Sequence, residues 1–311
     1  MGYNLERIQA FREDSLPDLD TVTLAALELF QDTQLPSFDM ARFKRPLVVG
    51  SGNAAITGAL LFDAADAVFA DESSYVQALA AHVDIDGAFL ISASGSKHAV
   101  TIAQTLRERG IETVLLTNNA NAPAREYLST ENVLVFPKNR EPYTYNTSTY
   151  MGMLLSKTHE DPLAIASFIE DEVAPRIPLD LQNHKAFFLI VPEQFNSERE
   201  MFETKFDELF GPKLMGRVFT YEQTKHAKTV VTEDSELFVS FGVENDLFGR
   251  SENRLYIPLP AHASYAAMMA IGYVFIGHMQ RQMPPYYKER IAAYALETSK
   301  AFGSVISSIV E

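Results

Sequence analysis

Twice in the first half of the chain, an unbroken apolar run stops at residues with almost no side chain and then gives way to a helical pattern. The stretches are "RPLVVGSGNAAITGALLF" (45–62) and "DGAFLISASGSKHAVTIAQTLRERG" (86–110). A short apolar run without polar alternation reads as a strand covered on both faces. The helix after it returns the chain to start another strand beside the first. "IETVLLTNN" (111–119) and "ENVLVFPKN" (131–139) read as two more strands. Strands alternating with helices imply a parallel sheet with helices on both faces. In such a sheet, ligands bind beyond the carboxyl ends of the strands.

The scheme begins again at "HKAFFLIVPEQFNSEREMFETKFDELFG" (184–211) and continues through "RVFTYEQTKHAKTVV" (217–231), "SELFVSFGVEN" (235–245) and "RLYIPLPAHASYAAMMAIGYVFIGHMQ" (254–280). Residues 3–34 carry apolar positions at three- and four-residue spacing and read as helices. The segment "EVAPRIPLDLQN" (172–183), with two prolines, is the expected boundary. The expected organisation is a helical segment over 1–40, an α/β domain over 41–172 and a second over 183–311, with a duplicated pattern but little residue identity between the halves.

Composition narrows the function. With 41 acidic against 26 basic residues, the net charge is −15. A surface of that sign disfavours nucleic acid and anionic membranes, whose binding rests on basic patches. An anionic substrate would need a local collection of positive charge or backbone N–H groups. The chain has no cysteine, so disulfides, thiolate metal sites and a cysteine nucleophile are excluded. The longest apolar stretch, "YAAMMAIGYVFIG" (265–277), reads as a buried helix rather than a membrane span. No export leader is expected, and the cytoplasm is the expected compartment. The histidines, including His98, His262 and His278, form no metal-ligand spacing such as HExxH, so no metal is expected.

In "SASGS", Ser92, Ser94 and Ser96 offer hydroxyls, Gly95 permits close backbone approach, and a helix follows with Lys97 at its start. Those residues could simply cap the helix. They are equally the ingredients of a phosphate cradle: donors, a helix N-terminus and a cation. "VVGSGNAAI" (48–56) is a second such turn. It has G-x-G without the third glycine of a dinucleotide site, and the chain has no GKS/T of a nucleotide P-loop. Two small-residue turns with Ser and Asn donors suggest a small phosphorylated ligand, with no organic cofactor.

Strand–"GSGNAA"–helix, strand–"SASGS"–helix, "TVLLTNN" and "YNTSTYMGML" together resemble the SIS (sugar isomerase) family. Two such units in tandem are similar to the isomerase half of glucosamine-6-phosphate synthase, to phosphosugar isomerases and to fructosamine deglycases. The resemblance covers roughly residues 40–290. It implies α/β architecture with two tandem flavodoxin-like three-layer α/β/α SIS domains, parallel sheets and N-terminal helices.

The resemblance also implies roles for individual residues. Ser92 and Ser94 match the hydroxyls that hold the sugar's phosphate, with Gly95 and Ser96 in the same loop, and Lys97 stands where the family has threonine. Gly52 and Asn53 occupy the first turn, where the family has Thr-Ser at the positions of Asn53 and Ala54. Ser148 matches a serine near the sugar. "ETKFDELFG" resembles the helix "LKLKE" and aligns Lys205 and Glu208, the latter as the base that moves a proton between C1 and C2; from spacing alone the two are an exposed i, i+3 pair. His226 falls near the histidine of "ELKHGP", which opens the sugar ring and reaches a partner subunit's site, implying a homodimer with sites near the interface; here Ala227-Lys228 replace Gly-Pro. Lys288, or else Lys300, matches a lysine near the C-terminus. The implied activity is aldose–ketose isomerisation of a sugar 6-phosphate through a cis-enediol. The alternatives are a deglycase of a sugar-phosphate amine adduct and a sugar-phosphate sensor without catalysis.

Overall fold

A computed structural model describes residues 2–303 and 305–311. Helices α1 (Tyr3–Ala10) and α2 (Leu19–Gln31) come first. They are followed by β1 (Pro46–Gly50), α3 (Asn53–Leu61), β2 (Val68–Asp71), α4 (Tyr75–Ala81), β3 (Gly87–Ile91), α5 (His98–Glu108), β4 (Thr113–Thr117) and β5 (Val133–Val135). Then come the short strand β6 (Glu141–Pro142), α6 (Thr147–Thr158) and α7 (Pro162–Phe168). The second round is β7 (Ala186–Val191), α8 (Arg199–Leu209), β8 (Met215–Thr220), α9 (Tyr221–Thr224), β9 (Glu236–Phe241) and β10 (Arg254–Ile257). It ends with α10 (Tyr265–Gln282), α11 (Tyr286–Phe302) and β11 (Ile309–Val310).

The first sheet has five parallel strands in the order β2-β1-β3-β4-β5. The second has four parallel strands in the order β10-β9-β7-β8. Read from its other edge, the second sheet repeats the connection order of the first, with β7 and β9 at the centre as β1 and β3 are. That 2-1-3-4 order is the doubly wound arrangement, whose switch point lies between the first and third strands. The α/β reading with parallel sheets therefore holds.

Strand β2 is not marked in the sequence. It is an edge strand of four residues with a single buried position, so it lacks the apolar run that marks the central strands. Strands β6 and β11, two residues each and paired antiparallel, carry no sequence signal at all.

The chain divides into two compact units that do not follow sequence order. The five-stranded unit comprises residues 33–138 and 148–159; the four-stranded unit comprises 1–32, 139–147 and 160–311. The proline-bearing segment 172–183 lies inside the latter rather than at an edge. Helix α2 belongs to that unit for a visible reason: Leu19 N–H donates to Gln280 on α10 at 2.9 Å, and Asp20 pairs with Arg281.

In the five-stranded unit, β3 sends side chains to both faces. Leu90 packs with Leu47, Leu115, Ile102 and Leu106, and the adjacent Phe89 meets Phe62, Phe38 and Phe43 on the opposite side. Truncating Phe89 to alanine would cost about 3–5 kcal/mol. In the four-stranded unit, Phe188 stacks on Phe238 at 5.0 Å and Phe187 meets Phe275 of α10. Helix α10 is buried over nearly its whole length, which explains its apolar sequence. Among the described residues, no helix is long and apolar enough to cross a membrane.

Candidate functional site

In the five-stranded unit, β1 and β3 are adjacent and in register, with Val49 opposite Leu90. Both small-residue turns therefore leave the sheet side by side, at its switch point. Gly52 precedes α3 with φ 54° and ψ −128°. Lys97 precedes α5 with nearly the same angles, φ 52° and ψ −119°. The first turn has two residues and the second six, but both enter their helix through a residue in the same conformation; one uses glycine, to which that region belongs, and the other a lysine carrying strain.

The serine hydroxyls do not cap α5, whose N-cap residue is Lys97 and has no side-chain cap. They bond within the loop instead. Ser92 Oγ accepts from Gly95 N at 3.1 Å, and Ser94 and Ser96 hydroxyls meet at 2.7 Å. Gly95 is required twice over: its φ is 60°, and a Cβ would lie 2.4 Å from that of Ala122. The loop is clamped from β4, because Thr117 Oγ1 and Asn118 N both donate to Ala93 O, and Asn119 Nδ2 donates to Ser94 O at 3.0 Å. Asn118 also donates to Thr149, so the start of α6 and its fully buried Ser148 sit by the carboxyl end of β4. Asn53, only 8% exposed, has a buried side-chain oxygen with no hydrogen-bond partner. Sequence reasoning valued Asn53 only as a donor; its unpaired acceptor shows in the structure alone.

The four-stranded unit holds the other candidates. Lys205 and Glu208 lie on one face of α8, one turn apart. Lys205 is fully buried, and its Nζ donates to Glu208 at 2.6 Å and to the carbonyls of Thr144 and Tyr145 at 3.1 Å each. An ammonium has three donors, so Lys205 has none left over. Glu208 is 23% exposed and lines a cleft of about 760 Å³ with Leu209, Phe210, Tyr286, Tyr287 and Tyr294. Burial pushes its carboxyl above the ordinary glutamate range, against the pull of the Lys205 ammonium.

His226 is exposed, in the turn after α9. Glu208 precedes β8, on α8, and His226 follows it, in the turn after α9, so in one chain they flank opposite ends of that six-residue strand. Ala227 has φ 56°, so the position that resembles the motif's glycine keeps a glycine conformation. Lys288 pairs with Asp18 at 2.7 Å and lines a separate pocket of about 250 Å³ with Arg7, Phe11 and Glu13. Lys300 is exposed in the last turn of α11.

The second sheet's own switch point differs in chemistry. The connection from β7 to α8 is "PEQFNSE" rather than a run of small residues. It buries Glu198 completely, with neither carboxyl oxygen hydrogen-bonded. Burial, and then the charge of Glu160, hold Glu198 protonated well above the ordinary range. Glu160 in turn accepts from the N–H groups of Ser264, Ala266 and Ala267 and caps α10. No cluster of three metal-ligating side chains occurs among the described residues.

No family model matches this chain, and no curated protein matches it in sequence. Solved structures do match. The tagatose-6-phosphate ketose/aldose isomerase of Escherichia coli aligns at TM-score 0.57 and 12% identity, over 87% of this chain and 90% of that one. Glucosamine-6-phosphate deaminase of Thermotoga maritima aligns at TM-score 0.56 and 13% identity, over 91% and 96%. The C-terminal domain of glucosamine-fructose-6-phosphate aminotransferase of Francisella tularensis aligns at 0.58 and 11%, over 89% and 97%. At these identities the likeness is one of fold.

Proposed function

We propose that the protein is a tandem SIS protein that binds a sugar phosphate and moves a proton between C1 and C2 of the opened sugar. The observation that supports this reading is the pair of small-residue turns leaving adjacent strands at the β1/β3 switch point, each entering its helix through a residue of the same backbone conformation. A phosphate dianion needs positive charge and N–H groups, and an acidic protein offers them only where they are collected. Ser92, Ser94, Ser96 and Lys97 hold the phosphate, while Gly52 and Gly95 let the backbone come close. Asn53 and Ser148 face the sugar, and the unpaired oxygen of Asn53 takes a sugar hydroxyl. The three solved structures named above bear the names of enzymes of hexose 6-phosphates, which supports the substrate class.

Glu208 is the base. It is reachable from a cleft, burial raises its proton affinity above the ordinary glutamate range, and one carboxylate can serve both carbons of an enediol. Lys205 holds that carboxylate in place rather than touching substrate. His226, at the far end of β8, would open the ring in the site of a second copy. Lys288 is engaged by Asp18 and takes a part in the chemistry only if that pair opens.

Binding without turnover is the second reading, and the replacement of the family's Gly-Pro by Ala227-Lys228 and of its threonine by Lys97 supports it. Proton NMR of hexose 6-phosphates in D2O separates the two. Wash-out of a C1 or C2 proton that Glu208→Gln abolishes supports isomerase chemistry. Thermal stabilisation by the same ligands without exchange supports a sensor, and no binding at all overturns the reading of the loop.

A further inference from the structure

The backbone around residues 143–147, in the four-stranded unit, holds two non-glycine residues at positive φ. Thr144 has φ 78° and Asn146 φ 48°, the left-handed region, which is unfavourable above all for a β-branched residue such as threonine. Strain of this kind persists only where surrounding contacts over-determine it. Here they come from four directions. Tyr287 Oη, on α11, donates to the carbonyl of Tyr143. Tyr143 N donates to Ser308 O at 2.8 Å, next to the β6–β11 pairing. The buried Tyr145 hydroxyl is held by Gln280 of α10. Thr147 N donates to the buried Glu141 carboxylate at 2.7 Å. The outcome of that strain is specific: two successive carbonyls, of Thr144 and Tyr145, point at the one ammonium of Lys205.

We propose that the 143–147 turn is the positioning element of the Lys205–Glu208 pair, and that Tyr287 is the residue that locks it. The inference rests on Glu208 being the base only for its consequence in catalysis; the positioning itself is geometric. Tyr287 acts through the turn. Its hydroxyl is spent on the Tyr143 carbonyl, and burial pushes its own ionisation far above the ordinary tyrosine range, so it is no proton donor to substrate. With the turn held, Lys205 keeps three acceptors in place and its charge stays beside Glu208. With the turn loosened, the ammonium is free to swing and Glu208 holds its proton more tightly. The groups facing Glu208 are Lys205 and Asp207 on its own helix, Tyr143 and Thr144 on the turn, and Tyr287 on α11. The rim of the cleft adds Lys213, Glu289 and Arg290.

The test follows the Glu208 carboxyl directly, by carbon NMR of the full chain labelled at glutamate Cδ, with Glu208→Gln supplying the assignment. Tyr287→Phe is expected to raise the Glu208 midpoint by about one pH unit, tenfold in proton affinity. Lys205→Met is expected to raise it as well, and Tyr287→Phe in the Lys205→Met background to add nothing, because the first acts through the second. A midpoint unmoved in a folded Tyr287→Phe protein, or additive shifts in the double variant, overturns the proposal. Should Tyr287→Phe fail to fold, removal of residues 306–311 cuts the β11 side of the same lock and is expected to raise the midpoint; an unchanged midpoint overturns the proposal equally. Absence of substrate exchange in the unaltered protein would sink Glu208 as a base and leave these titrations standing, so the two failures are distinguishable.

Discussion

Lys97 sets a cost to the fold against the role proposed for it at the site. It holds nearly the same backbone angles as Gly52 in the first turn, and a side chain in that region costs about 1–3 kcal/mol. Lys97→Gly is therefore expected to raise thermal stability, while weakening inorganic phosphate or hexose 6-phosphate about tenfold through loss of the cation. Calorimetric titration beside a melting curve checks both halves, and unchanged affinity would remove Lys97 from the site. Glu198 carries the opposite sign of effect. Its proton affinity is raised in the folded state, so its contribution to stability is complete below the ordinary glutamate value and is lost as pH climbs through the folded one. Chemical denaturation across pH should show that loss, and Glu198→Gln should abolish it. Replacing it with methionine, which leaves no polar group unpaired, should stabilise the protein by about 1–3 kcal/mol.

Among the elements, the connections at the strand ends carry the difference between the two sheets. Both sheets repeat one strand order, yet only the first has small-residue turns at its centre. At the second, α10 already has an anion at its N-terminus: the Glu160 carboxylate bonded to three backbone amides. Glu160→Ala is expected to cost about 1–2 kcal/mol, read as a lower melting temperature, without altering phosphate binding at the first sheet. An equal loss of phosphate affinity would show that α10 belongs to the ligand site after all. The central strands and their turns were legible in sequence because each is a local signal, an apolar run ending in glycine and serine. Strand β2 was not, being half-exposed, and β6 and β11 have no identity apart from each other.

For the whole molecule, the proposed roles of Glu208 and His226 raise the question of whether one site draws on two copies of the chain. Glu208 and His226 of one chain flank opposite ends of β8. If sites are shared between copies, mixing inactive Glu208→Gln and His226→Ala proteins should restore about a quarter of the activity, since half the dimers are mixed and each has one intact site. No recovery after mixing would confine the chemistry to one chain. The acid limb of the rate profile should lie above the ordinary glutamate value, with activity falling as pH drops through the raised Glu208 midpoint. A limb at the ordinary value would argue against Glu208 as the base.

By itself the sequence determined the class of fold, the places where the central strands end, and the small-residue loops that follow them, because these follow from periodicity and from what glycine and serine permit. The i, i+3 spacing of Lys205 and Glu208 likewise set them on one helix face. Only the tertiary structure decided that Lys205 is buried and spent on carbonyls some sixty positions earlier. It also decided that residues 1–32 pack with the second half, that Lys288 answers to Asp18, and that Glu198 is sealed without a partner. Each of these depends on which distant segments meet, and a buried charge is defined by the neighbours that packing brings to it.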